Sequence, residues 1–289
     1  MTDTTLKKAF SFSLYDSGNY YGGNKNKYTY NCVANVLIAK VLFPDWKLYI
    51  YYDNTISKNI IKFLKDSENV VEKDMTAHWL SKCDKMMWRN LAMDDEALDI
   101  VCIRDCDGWL SYREKVIMED WINSDKDIHI IRDHCWHAGK IGGGLWGRKN
   151  NVKLNMEELM KTYFIKNKSH KTHSGEDQDF LTDNFYERFK DNTTVYIGEQ
   201  HDASGKYLLR GHHPLEKDIR KINDLINYND FINDKNKYEI VEGLSLVEAS
   251  QMNEFRCGRC RKNVHVFIGD MFNRIPSRAI KVIEKLIKE

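Results

Sequence analysis

Residues 98–107 read Leu-Asp-Ile-Val-Cys-Ile-Arg-Asp-Cys-Asp. The apolar run Leu98 to Ile103 is the kind of strand found where both faces of a sheet are covered, the habit of parallel sheets packed between helices. It runs straight into Arg104-Asp105-Cys106-Asp107. In an open parallel sheet, ligands bind beyond the carboxyl ends of the strands. One stretch therefore predicts both the fold class and the place of the chemistry.

The surrounding chain agrees. Upstream, Phe10 to Tyr15 reads as a strand, followed by the Gly/Asn/Tyr-rich loop Asp16 to Lys27 and a helix from Tyr28 to Phe43, stopped by Pro44-Asp45. Lys47 to Tyr52 is an aromatic and β-branched strand ending on the turn signal Asp53-Asn54. Ile56 to Leu64 has helical period, Asn69 to Glu72 is a short strand, and Leu80 to Met93 reads as a helix. Downstream, Ser111-Tyr112-Arg113-Glu114 is a capping box opening a helix to about Ile122. A strand at Ile128 to Ile131 precedes the glycine run Gly142 to Gly147; helices follow at Met156 to Phe164 and Asp177 to Phe189, then a strand at Thr194 to Ile197. Strands alternating with helices predict an α/β fold with a mostly parallel, Rossmann-like sheet. Beyond about Gly211 the pattern weakens to a helix at Pro214 to Tyr228, strands at Tyr238 to Val241 and Val264 to Ile268, and a helix at Ser277 to Lys288. The expected organisation is a main domain over 1–211 and an α/β extension over 212–289 packed on it, or one continuous domain.

Composition narrows the function. With 44 Lys+Arg against 43 Asp+Glu and 42% hydrophobic residues, the 289-residue chain has too little net charge and too much apolar material for disorder. A net charge of +1 argues against gripping nucleic acid through bulk electrostatics. The longest apolar stretch, around Val33 to Phe43, is broken by Asn35 and Lys40, so no membrane span is expected. Met1 to Lys8 is polar and predicts no signal peptide. Seven scattered cysteines read as reduced thiols, hence a cytoplasmic protein. Cys257-Gly258-Arg259-Cys260 lacks the second pair a zinc site would need, and reads as thiols on a turn or a small zinc knuckle.

Alternate residues of an extended segment project to one side, so Asp105 and Asp107 can share one hard divalent cation and leave its other positions open for phosphate. The same spacing recurs at Asp125/Asp127 and Asp177/Asp179, but those sit in a turn and at a helix start, where the helix dipole favours carboxylates. Among the clustered histidines, His212 or His213 beside Arg210 is a candidate third metal ligand.

The ordered set Asp53, Met87-Trp88-Arg89, Arg104-Asp105-Cys106-Asp107, Arg113-Glu114, Trp121, Arg132-Asp133-His134, His137, Gly143-Gly144-Leu145-Trp146-Gly147 and Asp177-Gln178 resembles the GT-A glycosyltransferases. More narrowly, it is similar to small glycosyltransferases of large DNA viruses and bacterial surface-glycan clusters. The likeness covers about residues 9 to 200. It implies a GT-A fold and transfer of a hexosyl or pentosyl group from a nucleotide-sugar donor, UDP- or GDP-linked, to a glycan or glycoprotein acceptor. It also implies Mn2+ or Mg2+ held by Asp105, Asp107 and His212. Asp105 would contact ribose or metal, Asp53 the base, Arg89 a phosphate or Asp105, and the Tyr15 to Tyr21 loop the base and ribose. Gly143 and Gly144 would let backbone approach the sugar, with Trp146 as a flanking wall. Asp177, with Glu176 beside it, would deprotonate the acceptor in an inverting enzyme or position the sugar in a retaining one.

Bland readings stand beside these: Asp53 capping a turn, Trp146 in the core, Glu176 and Asp177 as helix-start carboxylates. Two other classes stand as alternatives: a metal-dependent nucleotidyl- or phosphotransferase, which also uses paired aspartates, and a non-catalytic nucleotide- or glycan-binding module in which the metal is structural.

Overall fold

The computed structural model describes residues 5–16, 18, 27–133, 137, 139–167, 175–197, 217–225, 239–241, 244–245, 252–256, 263–267 and 277–288. Eight strands form one sheet: β1 (Lys8–Leu14), β2 (Trp46–Tyr52), β3 (Val70–Asp74), β4 (Ile100–Arg104), β5 (Ile128–Arg132), β6 (Leu145–Lys149), β7 (Thr193–Ile197) and β8 (Asp218–Lys221). Their order is 3-2-1-4-6-5-7-8. All neighbours pair in parallel except β6, which runs antiparallel between β4 and β5. Helices of the described residues include α1 (Lys27–Leu42), α2 (Lys58–Asp66), α3 (Tyr112–Ile122), α4 (Met156–Asn167) and α5 (Glu176–Leu181), and the expected helix at Ser277–Lys288 also forms. The expected α/β class and mostly parallel sheet are what the chain adopts. β8 joins the sheet from beyond residue 211. Among the described residues, no helix is long and apolar enough to cross a membrane.

β4 sits mid-sheet with all five residues buried, as its apolar run demands. Its alternation divides the core. Cys102 packs with Phe10, Phe12, Val36 and Trp121 on one face, and Val101 and Ile103 with Met87, Trp88, Met160 and Phe180 on the other. β1 shows the same division in Phe-Ser-Phe-Ser: phenylalanines face α1, and Ser11 and Ser13 face the segment Lys85–Asp94.

Several local expectations change. Leu80 to Met93 is not one helix but two 3₁₀ segments, Trp79–Lys82 and Lys85–Asp94. Asp84 breaks it by capping Met86 N at 2.9 Å, and Arg89 N donates to Ser13 Oγ instead of staying within a helix. Half of the capping box forms: Ser111 Oγ accepts from Glu114 N at 3.3 Å, but the Glu114 carboxylate turns to Arg104 Nε. The helix expected over Asp177 to Phe189 carries a π turn at Thr182–Tyr186. Within Pro214 to Tyr228, residues 218–221 are strand β8, and the described helix is confined to Ile222–Leu225.

The glycine run leads directly into β6, where the sequence reading assigned no strand. Trp146 is fully buried with its ring 4.5 Å from Phe185, so it is core and not a wall. Gly147 is required by close strand approach: an added Cβ would lie 2.5 Å from His129 Cε1 and 2.6 Å from Val101 O. Gly147→Ala is therefore expected to cost about 1–3 kcal/mol, the usual scale of overpacking. Urea melts of the two proteins check it; equal midpoints would contradict it.

Candidate functional site

Strand order reverses between β1 and β4, because the chain winds outward through β2 and β3 and then returns to the other side of β1. That reversal opens the crevice in which ligands of open α/β sheets bind. Tyr15 follows β1, Asp53 follows β2, Asp105 and Asp107 follow β4, and Asp133 follows β5.

One buried arginine organises the crevice. Ser11 Oγ donates to Arg89 O at 2.7 Å, and Ser13 Oγ accepts from Arg89 N at 3.0 Å, so two small polar residues of β1 fix the arginine's backbone. Its guanidinium then divides. Nη1 pairs with Asp105 Oδ1, and Nη2 lies 2.7 Å from Asp177 Oδ2. The Arg89 and Asp177 side chains are each 3% exposed, whereas that of Asp105 is 46% exposed. Burial works against the arginine's charge, but the two carboxylates outweigh it and hold the group protonated. For Asp177, burial raises the pKa above the usual carboxylate range and Asp105 adds to the rise, against the pull of Arg89.

Gly143 and Gly144 close over this arrangement. A Cβ at Gly143 would lie 1.8 Å from Asp177 Oδ2, and one at Gly144 would lie 2.1 Å from Asp105 Oδ2. The backbone here was expected to approach a sugar; what it approaches in the structure is the pair of carboxylates. Glu176, also buried, opens α5 beside Asp177. Gly175 precedes it at φ +91°, a left-handed conformation that glycine adopts without strain.

Asp107 has a different partner, one that the sequence reading missed. Lys27 Nζ, at the start of α1, lies 3.1 Å from Asp107 Oδ2. Burial first, then the nearby Asp105, push the Asp107 pKa up, and Lys27 opposes them. A lysine in the first turn of a helix runs against the helix dipole, and that much is visible in the sequence; its burial is not. Among the described residues, no three His, Cys, Asp or Glu side chains gather as a metal cage. His212, His213, Arg210, Tyr20, Tyr21, His134, Trp136 and the Cys257/Cys260 pair lie outside the described residues. The donor set of Asp105 and Asp107 fits a hard cation that keeps most positions for water and phosphate. The Lys27 ammonium on Asp107 shows that a positive charge is accommodated at that oxygen.

Arg113, Asp133 and His137, which the resemblance included without assigning roles, line a cavity of about 90 Å³ together with Asp105, Asp107 and Gly144. Asp133 receives Arg113 Nη2 at 2.5 Å and pairs with His137 Nδ1 at 2.6 Å. Burial lowers the His137 pKa, but Asp133 overrides it and the net shift is upward. Tyr15 is half-buried with its ring 5.7 Å from Trp88, and Lys85 Nζ lies over both rings. Asp53 spends its oxygens locally, one on Thr55 N at 3.0 Å and one on Lys85 Nζ at 2.6 Å. Those contacts outweigh the effect of burial and lower its pKa. The geometry of Asp53 is that of a turn cap that also anchors a lysine.

No protein-family model and no curated protein matches the chain. Among solved structures it is similar to the galactosyltransferase LgtC in complex with donor and acceptor sugar analogs, at 13% identity over 65% of this chain and 73% of that one, TM-score 0.41. It is also similar to the glycosyltransferase GlyE of Streptococcus pneumoniae TIGR4, at 15% identity over 66% of this chain and 45% of that one, TM-score 0.43. A third is TarS 1–349 of S. aureus, at 11% identity over 71% of this chain and 63% of that one, TM-score 0.41. At TM-scores below 0.5 these likenesses carry no argument.

Two measurements check the site as described. Gly143→Ala forces Asp177 and Arg89 apart and is expected to lose at least about 1 kcal/mol of stability. Gly139→Ala, whose Cβ would meet nothing nearer than Gln178 Oε1 at 3.9 Å, is expected to be neutral. Equal melting of the two variants would refute the close approach. His137 also predicts a pH dependence. Its folded pKa lies above the ordinary 6.5, so its contribution is complete below that value and is lost as pH rises through the folded pKa. The stability gap between wild type and His137→Gln should therefore narrow as pH rises above the ordinary histidine range; a gap that widens would contradict the Asp133 pairing.

Proposed function

We propose that the protein is a metal-dependent glycosyltransferase that moves a sugar from a nucleotide diphosphate-sugar, with UDP-sugars favoured, to a glycan or glycoprotein acceptor. One observation carries the reading: the Asp105-x-Asp107 pair at the carboxyl end of β4 is joined to the buried Asp177 through Arg89, at the point where strand order reverses.

Asp105 and Asp107 are the residues assigned to Mn2+ or Mg2+. Bound there, the cation supplies Lewis-acid neutralisation of the charge on a departing diphosphate. Every other role falls to the chain itself. Arg89 fixes Asp105 and Asp177 in one rigid unit, so the donor end and the acceptor end of the site keep their spacing. Asp177 takes the proton of the acceptor hydroxyl. Its raised pKa suits that task, since a base works best when its pKa lies near the operating pH. Glu176 supports it from the same helix start. Gly143 and Gly144 lay bare backbone on the carboxylates, and of the two it is Asp105 that stays open to a ligand. Tyr15 offers an aromatic face to the base, and Asp53 acts by holding Lys85 against that wall.

The test is release of nucleoside diphosphate from UDP-, GDP- and dTDP-sugars with manganese. Wild type is expected to release it from one donor class. Asp107→Ala is expected to abolish release. Asp177→Asn is expected to lower kcat by about 10²–10⁴-fold with donor KM little changed, the usual cost of losing a general base. No release from any donor, or full activity in Asp107→Ala, would overturn the reading.

A further inference from the structure

Helix α1 is buried along most of its length, yet Asn31 and Asn35 lie inside it and Lys27 stands at its start. Steps of four residues place the three on one stripe of the helix. That stripe faces the loop leaving β4. Asn35 uses both ends of its amide: Nδ2 donates to Gly108 O at 2.9 Å, and Oδ1 accepts from Leu110 N at 2.8 Å. Asn31 Oδ1 accepts from Trp109 Nε1 at 2.7 Å, and Nδ2 donates to Asp107 O at 3.3 Å. One turn earlier, Lys27 reaches the Asp107 carboxylate. Carbonyls accept and N–H groups donate, so these partners also fix which way each amide points.

Packing alone would favour apolar residues at 31 and 35, as at the neighbouring Cys32, Val33, Val36 and Leu37. Two buried amides cost free energy unless every partner is met, and here four bonds are met by a single loop of four residues. The loop begins with Asp107 itself.

We propose that Asn31 and Asn35 are positioning residues of the divalent-cation site, holding the loop 107–110 so that the Asp107 carboxylate stays beside Asp105. The inference rests on the metal-dependent reading above and adds the residues that set the cation's affinity. They touch no ligand; they act through the backbone of the residue that does.

The experiment is a Mn2+ titration by isothermal calorimetry on the full chain without donor, for wild type, Asn31→Ala, Asn35→Leu and Asn69→Ala. Asn69 donates to Val36 O at 3.0 Å and so braces the same helix away from the loop. Partners one step removed from a metal typically change its affinity by about 10–100-fold, and a loss of that order is expected for Asn31→Ala and Asn35→Leu, with circular dichroism unchanged. Asn69→Ala is expected to lower Tm and leave the Mn2+ Kd where it was. Wild-type Kd in both folded variants, or an equal shift in Asn69→Ala, overturns the positioning role. If Asn35→Leu does not fold, Asn31→Ala decides. A wild type that binds no Mn2+ removes the metal reading and this inference with it; a wild type that binds, with undisturbed variants, removes the positioning role alone.

Discussion

A guanidinium shared by two carboxylates sets the terms for the rest of the site. Arg89 is buried, and a buried charge without partners is costly enough that the surroundings must supply them. Asp105 arrives from the end of β4 and Asp177 from the start of α5, and each takes one terminal nitrogen. The serines of β1 follow from this constraint, because bulkier residues at 11 and 13 would hold the arginine's backbone off the sheet. The 3₁₀ course of Lys85–Asp94 follows as well, since the Arg89 N–H is committed to Ser13 Oγ.

The glycine pair is the same constraint seen from above. β6 runs antiparallel to β4, so the residues entering it pass directly over those leaving β4. Any side chain at 143 or 144 would occupy the space of a carboxylate oxygen. The interruption of the parallel sheet thus has a local use: it lays bare backbone across the Arg89 bridge.

The apolar runs made β1, β2, β4, β5 and β7 legible, because strands covered on both faces carry their burial in composition alone. β6 was not legible. Its Trp-Gly-Arg interior shows no alternation, and Arg148 looks like a surface residue. In the structure Arg148 is buried, with Nη2 donating to Met93 O at 2.6 Å and Nη1 to Leu98 O at 3.3 Å. Asp105, Asp107, Asp177 and Arg89 could each be picked out as residues, but their sharing of one bridge is a long-range pairing that local pattern does not encode. Asn35 was visible only as a break in an apolar stretch. Its meaning depends on the loop it faces.

In the proposed metal-dependent reading, the charges at the sheet edge matter as much as the spacing of two aspartates. Arg104 and Arg132 close β4 and β5 at this edge. Arg104 turns to Glu114 and donates to Trp146 O at 3.1 Å, and Arg132 donates to Lys140 O at 2.5 Å. The described positive groups that remain are engaged by carboxylates: Lys85 by Asp53, Lys27 by Asp107, Arg89 by Asp105 and Asp177, Arg113 and His137 by Asp133. A diphosphate entering such an edge would meet carboxylates whose counter-charges are already committed. It gains attraction when a divalent ion is added between it and the most exposed of them, Asp105, and that ion would relieve the mutual repulsion of Asp105 and Asp107 in the same step. In the proposed reading, near-zero net charge and an anionic ligand are compatible because the cation would bring positive charge to the edge.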